Sequence, residues 1–164
     1  MLKKLGLFTM IFATLLVFTG CGAEKAKEEG KEEEKVQNVE GTLEEIMTKV
    51  YADIPEEERP MMLMNTVVNE ENVEYFLGTA DIEYKEALAS EPGVGSIPHS
   101  VVLVRVNEGA NVEAIKTKIK ESVNPRKWIC VEAENVIVKN KGDLIILIMA
   151  TDGADKLETA FDNL

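Results

Sequence analysis

The sequence predicts an α+β domain: a small antiparallel sheet of about four strands with helices packed on one face. Three observations carry that expectation. Residues 99–106 (HSVVLVRV) and 144–150 (LIILIMA) are β-branched or apolar runs bounded by turn residues. Residues 43–54, 111–123 and 152–164 repeat apolar side chains at the spacing of one helical face. In the second half the segments run strand, strand, helix, strand, strand, helix, an order that suits helices set against an antiparallel sheet.

Thr42 with Glu45 forms a capping box, and Leu43, Ile46, Met47, Val50 and Ile54 share the face of a helix that Pro55 ends. MMLMNTVV (61–68) is too apolar for a free loop and reads as a short strand or a buried extended segment, its methionines filling apolar space. Asn69 can cap a second helix in which Val73, Phe76 and Leu77 share a face, and Gly78 suits the left-handed residue that closes it. DIEYKEALASEP (81–92) reads as a strand and PGVGSIP (92–98) as a turn rich in breakers. In residues 111–123, Val112, Ile115, Ile119 and Val123 line one helical face, and Pro125 follows it. WICVEA (128–133), NVIV (135–138), the turn KNKGD and LIILIMA read as a hairpin whose last strand, apolar on both sides, lies inside the sheet. Asp152 opens a closing helix with Leu157, Ala160, Phe161 and Leu164 in register.

The ends of the chain divide it into three parts. Lys3 and Lys4 precede an apolar run from Leu5 to Phe18, the layout of an export signal. That run is shorter than the roughly 20 residues a helix needs to cross a hydrocarbon core, so residues 1–20 read as a removable leader. Phe18-Thr19-Gly20-Cys21 resembles the lipobox of bacterial lipoproteins, which implies a lipid on the Cys21 sulfur and Cys21 as the new N-terminus. A lipid anchor of that kind holds a protein at the membrane where one acyl chain is marginal. Residues 21–40 carry the lipidated cysteine and an acidic tether, GAEKAKEEGKEEEKVQNVE, too polar to repay ordering. Residues 41–164 remain as a single α+β domain, long enough to bury one core. Its only cysteine is Cys130, so it has no internal disulfide, and the apolar neighbours of Cys130 predict a buried, inert thiol.

Without the leader the chain has 16 basic and 30 acidic residues, a formal charge of −14. Such a field repels phosphate backbones, so nucleic acid is not an expected partner. ENVEYFLGTADIEYKEALA, SVVLVRVNEGANVEAIKTKIKE and NKGDLIILIMATD together resemble an uncharacterised lipoprotein domain family of Gram-positive anaerobic bacteria. The resemblance spans residues 42–152 and implies an envelope location and an α+β fold, with no catalytic residue to carry over.

Chemistry-bearing residues are sparse. His99 is the sole histidine, and its neighbours Ser96 and Ser100 lack an oriented acid and an oxyanion site. One histidine and one unlipidated thiol do not make a zinc site, so neither metal nor cofactor is expected. PGVGS lacks the Lys-Ser/Thr ending and following helix of a phosphate loop. Against the acidic average, Lys116, Lys118, Lys120, Arg126 and Lys127 gather around Glu113 and Glu121, and Trp128 ends the stretch. Lys120, Arg126, Lys127 and Trp128 are therefore the candidate site for an anionic envelope polymer or protein, with stacking on the tryptophan. The expected function is that of a non-catalytic binding or interaction domain, lipid-anchored on the extracytoplasmic face of the cell membrane. The alternative is a small envelope hydrolase or transferase whose site is assembled from dispersed residues.

Overall fold

The computed structural model describes residues 38–164. The leader, Cys21 and the tether through residue 37 lie outside the described residues. Helix α1 (Leu43–Ala52) is followed by a 3-10 turn (Glu56–Glu58), β1 (Leu63–Val67), α2 (Val73–Leu77), β2 (Glu86–Pro92) and β3 (His99–Arg105). Then come α3 (Val112–Ser122), β4 (Asn135–Lys141), β5 (Leu144–Ala150) and α4 (Ala154–Asp162). The strands form one antiparallel sheet in the order β1-β2-β3-β5-β4. Among the described residues, no helix is long and apolar enough to cross a membrane.

The fold is α+β, with five strands rather than about four. The extra strand is β1, cut from the apolar MMLMNTVV segment and paired with β2 from Leu63↔Pro92 to Val67↔Leu88. The helices cover both faces of the sheet, and the expectation of one covered face is corrected. Every residue of β3 and β5 is buried, so alternate side chains on each need partners on opposite sides. On one side Leu88, Val101, Leu103, Ile146 and Ile148 meet Ile46, Met47 and Val50 of α1 and Leu157 and Phe161 of α4. On the other, Ala89, Val102, Val104, Ile145 and Leu147 meet Val73, Phe76 and Leu77 of α2 and Ile119 of α3.

Local rules place most element ends. The Thr42 hydroxyl accepts from the Glu45 amide at 3.2 Å while the Glu45 carboxylate accepts from the Thr42 amide at 3.0 Å, completing the capping box. Asn111 caps α3 by accepting from the Ala114 amide at 3.0 Å. The cap of α2 is Asn72, one turn after Asn69, and its closing residue Gly78 has φ 75°. Gly153, not Asp152, precedes α4. Residues 128–133 form a loop rather than a strand, so the closing hairpin is β4–β5 alone, joined by Gly142 and Asp143.

The folded domain includes residues before Gly41. Val39 is buried in the α1–α4 core. The Arg105 guanidinium, itself buried at the end of β3, donates to the backbone oxygens of Val39 and Gly41, both at 2.9 Å. It also donates to Glu86 at 2.9 Å and Asp143 at 3.3 Å. One side chain thus joins the incoming chain to β2, β3 and the β4–β5 turn.

Candidate functional site

At the opposite end of the sheet, the end of β2, the start of β3 and the turn between them gather the polar residues of the core: Ser90, Glu91, His99 and Ser100. Strand alternation sorts them. His99 faces α1, while Ser100 and Glu91 face α2 and the loop after α3. His99 and Ser100 therefore point to opposite faces and form no nucleophile–base pair.

On the α1 side, the Tyr51 hydroxyl lies 2.7 Å from His99 Nε2. Burial raises the tyrosine pKa far above its ordinary 10.0, and burial lowers that of His99 to about 4, partly offset by Glu91. At neutral pH both groups are uncharged, and the His99 tautomer sets which of them donates. A cleft of about 150 Å³ opens beside them, with Arg59, Pro98, Thr151 and Asp152 among its walls.

This pair makes a pH prediction. Because the unfolded chain protonates His99 at 6.5 and the folded chain only near 4, the unfolded state binds the extra proton in that window. Folding stability is unaffected by His99 above pH 6.5 and falls as the pH drops towards 4, by about 3 kcal/mol in total. Denaturant titrations at stepped pH should show that slope in the native protein and a reduced slope in His99→Gln, whose amide can still bond to Tyr51. An unchanged slope in the variant would mean that carboxylates alone set the acid limit.

On the α2 side, Lys127 is buried among aromatic rings. Its Nζ lies 4.3 Å from the centroid of Tyr75, 5.1 Å from Phe76 and 5.3 Å from Trp128. It forms an ion pair with Glu91, the two side chains being 5% and 14% exposed, and donates to Ser100 Oγ at 3.3 Å. The Tyr75 hydroxyl donates to the second Glu91 oxygen at 3.1 Å. Desolvation lowers the Lys127 pKa against the opposing pull of Glu91, and desolvation with the Glu91 charge pushes Tyr75 up to about 12. Charge pair, hydroxyl and rings satisfy one another in the closed structure. Ser100 is fully buried, so this arrangement presents no exposed nucleophile.

These positions correct the reading of the basic stretch. Lys127 and Trp128 turn inward, because the loop after Pro125 packs against α2 and β2 and offers Lys127 a buried carboxylate. Their stacking is with each other and with α2 rather than with a docked anion. Arg126 is exposed and pairs with Glu132 at 3.2 Å. Lys116 bonds to Glu113 and Asn140, and Lys118 to Asp81. Lys120 is exposed with no ion pair among the described residues.

Cys130 is exposed rather than buried, at φ 61°. The Ile129 amide donates to the Gly95 oxygen at 2.9 Å, which docks the loop on the β2–β3 turn and throws both side chains outward. Ile129 is 72% exposed. Nor do the methionines of residues 61–64 fill the core, for Met62 is 65% and Met64 57% exposed. Both lean on Gly93, where an added Cβ would meet the Met64 methyl at 3.3 Å. The result is an apolar surface running from β1 across the β2–β3 turn to Ile129.

No family model, curated protein or solved structure matches this chain. Its function must be argued from its own geometry. Among the described residues, no group of His, Cys, Asp and Glu side chains stands close enough together to hold a metal ion. Sequence reasoning singled out Lys127 and Trp128 and weighed Ser100 only beside His99, but missed Glu91 and Tyr75. The one available signal was that Glu91 sits in a run otherwise apolar or small, where a carboxylate needs a partner.

Proposed function

We propose that this chain is a lipid-anchored, extracytoplasmic protein whose folded domain binds another macromolecule and performs no reaction. The exposed surface of Met62, Met64 and Ile129 carries the reading, because it lies at the end of the sheet remote from Asn38–Gly41, where the incoming chain is held. The polar residues nearby support binding over catalysis, since Lys127 is committed to Glu91 and His99 to Tyr51. The alternative of a hydrolase or transferase would draw on Ser100, 3.3 Å from the Lys127 ammonium, but the serine is inaccessible and the lysine is paired as a cation.

Two measurements test the two halves. Mass spectrometry of the membrane fraction should find diacylglyceryl on Cys21, and Cys21→Ser should leave unlipidated precursor or released protein. Normal lipid mass on that variant would remove the anchor from the proposal. Photo-crosslinking on intact cells from position 129 should give a discrete adduct; none from any exposed position would remove the binding half.

A further inference from the structure

The sheet has two edges, and they are treated differently. β4 is guarded: α3 and α4 pack beside it, Lys139 pairs with Glu158 and Asp162, and Lys141 donates to the Asp162 oxygen at 3.1 Å. Lysines and covering helices are the usual means of keeping an edge from recruiting another strand. β1 has neither. Its sequence, LMNTV, has no charge and no proline, and four of its five residues are exposed.

The hydrogen-bonding register identifies what this edge offers. The Val68 amide donates to Ala87 and the Gly93 amide to Met62, so residues 62, 64, 66 and 68 turn their backbone groups towards β2. Leu63, Asn65 and Val67 turn theirs outward. Of these, the Val67 oxygen is taken by the Asn72 side chain at 3.0 Å. Among the described residues, the amides of Leu63, Asn65 and Val67 and the oxygens of Leu63 and Asn65 have no partner, along about 17 Å of strand. On the α1 side of the same edge, a cleft of about 190 Å³ is bordered by Met47, Tyr51, Arg59, Leu63, Asn65 and Ser90. On the other side stands Met64.

Charge selects the occupant. Glu56, Glu57 and Glu58 precede the strand and Glu70, Glu71 and Glu74 follow it, all exposed. Arg59, whose Nε donates to the Ile54 oxygen, is the one cation lining the α1-side cleft, and Lys156 pairs with Glu58, which leaves the other five glutamates without an ion pair among the described residues. A second copy is a poor fit, because antiparallel self-pairing about Asn65 would set the first glutamate group of each chain against the second group of the other.

We propose that β1 is a docking edge that takes an extended segment of a partner protein as a sixth strand, with apolar or β-branched residues at its centre and Lys or Arg at both ends. Backbone hydrogen bonds to Leu63, Asn65 and Val67 would hold it, alternate side chains would enter the Met47–Asn65 cleft and lie over Met64, and the two glutamate groups would fix its ends. This rests on the reading of the domain as a binding module and names the partner's chemistry.

The test uses the full chain and two synthetic peptides with the same Val-Thr-Val-Thr-Val centre, one flanked by paired lysines and one by paired glutamates. Calorimetry at low salt should give the lysine peptide at least about a tenfold tighter affinity, shrinking as salt screens the exposed carboxylates. Bound peptide should slow hydrogen exchange at Leu63, Asn65 and Val67. Asn65→Pro removes an outward amide without touching the β2 ladder, a position where edge strands tolerate proline, and should weaken binding about tenfold or more. Equal affinity for both peptides, or undiminished binding by a folded Asn65→Pro variant, overturns the docking edge. So does concentration-dependent dimerisation that Asn65→Pro abolishes, which would make a second copy the occupant. If peptide binding fails while cells still yield a discrete adduct from position 129, the edge proposal falls and the binding reading stands.

Discussion

Lys127→Ala should lower folding stability by about 3–5 kcal/mol, the range seen when one member of a buried ion pair is removed. The cause is what remains behind. Glu91 would keep its charge at a site only 14% exposed, with the Tyr75 hydroxyl as its one remaining side-chain donor. Lost contact with the faces of Tyr75, Phe76 and Trp128 adds a smaller term. Lys127→Met combined with Glu91→Gln should recover most of the loss, since the pair then leaves together and Gln can still accept from Tyr75. Denaturant unfolding of the two variants beside the native protein decides it. A single variant within about 1 kcal/mol of native would mean that water reaches Glu91 and the pair is not buried in solution.

Gly78→Ala should be the most damaging glycine substitution among the described residues. Gly78 closes α2 at φ 75°, where a Cβ costs about 1–2 kcal/mol by itself. The larger effect is contact, because that Cβ would sit 2.2 Å from the Ser122 oxygen and 2.5 Å from the Val123 nitrogen. Those are backbone atoms at the end of α3, so no rotamer change relieves them and the helix ends must part. Together the terms come to about 3–5 kcal/mol. Gly109 provides the control: its φ is 78°, yet an added Cβ there meets nothing within 4 Å. Gly109→Ala should cost only about 1–2 kcal/mol, and equal losses in the two variants would show that strain, not contact, dominates.

Local rules made the strong elements legible. β3 and β5 announce themselves as unbroken apolar runs, and Thr42 with Glu45 declares the start of α1. The expectation of one covered face failed because α2 has only five residues and α3 only one fully buried position, Ile119, so the second layer was faint in the sequence. WICVEA has strand composition and is a loop, because Cys130 adopts φ 61° and Ile129 bonds to Gly95. The site failed to show for a different reason. A count of cations along residues 112–128 treats them as surplus, whereas Asp81 and Glu91 arrive from far back in the chain to meet Lys118 and Lys127, and Glu132, just past the counted stretch, meets Arg126. The first two pairings are long-range, and residue spacing carries no record of them.

The Arg105 clasp also decides how the domain bears a pull. Tension reaching Val39 and Gly41 divides between the covalent chain into α1 and the Arg105 guanidinium, which leads to β3 with β2 on one side and β5 on the other. The share that Arg105 takes enters an internal strand and spreads to β2 through Glu86 and to the β4–β5 turn through Asp143. None of those contacts reaches β1, so that share of the pull bypasses the strand with a single partner.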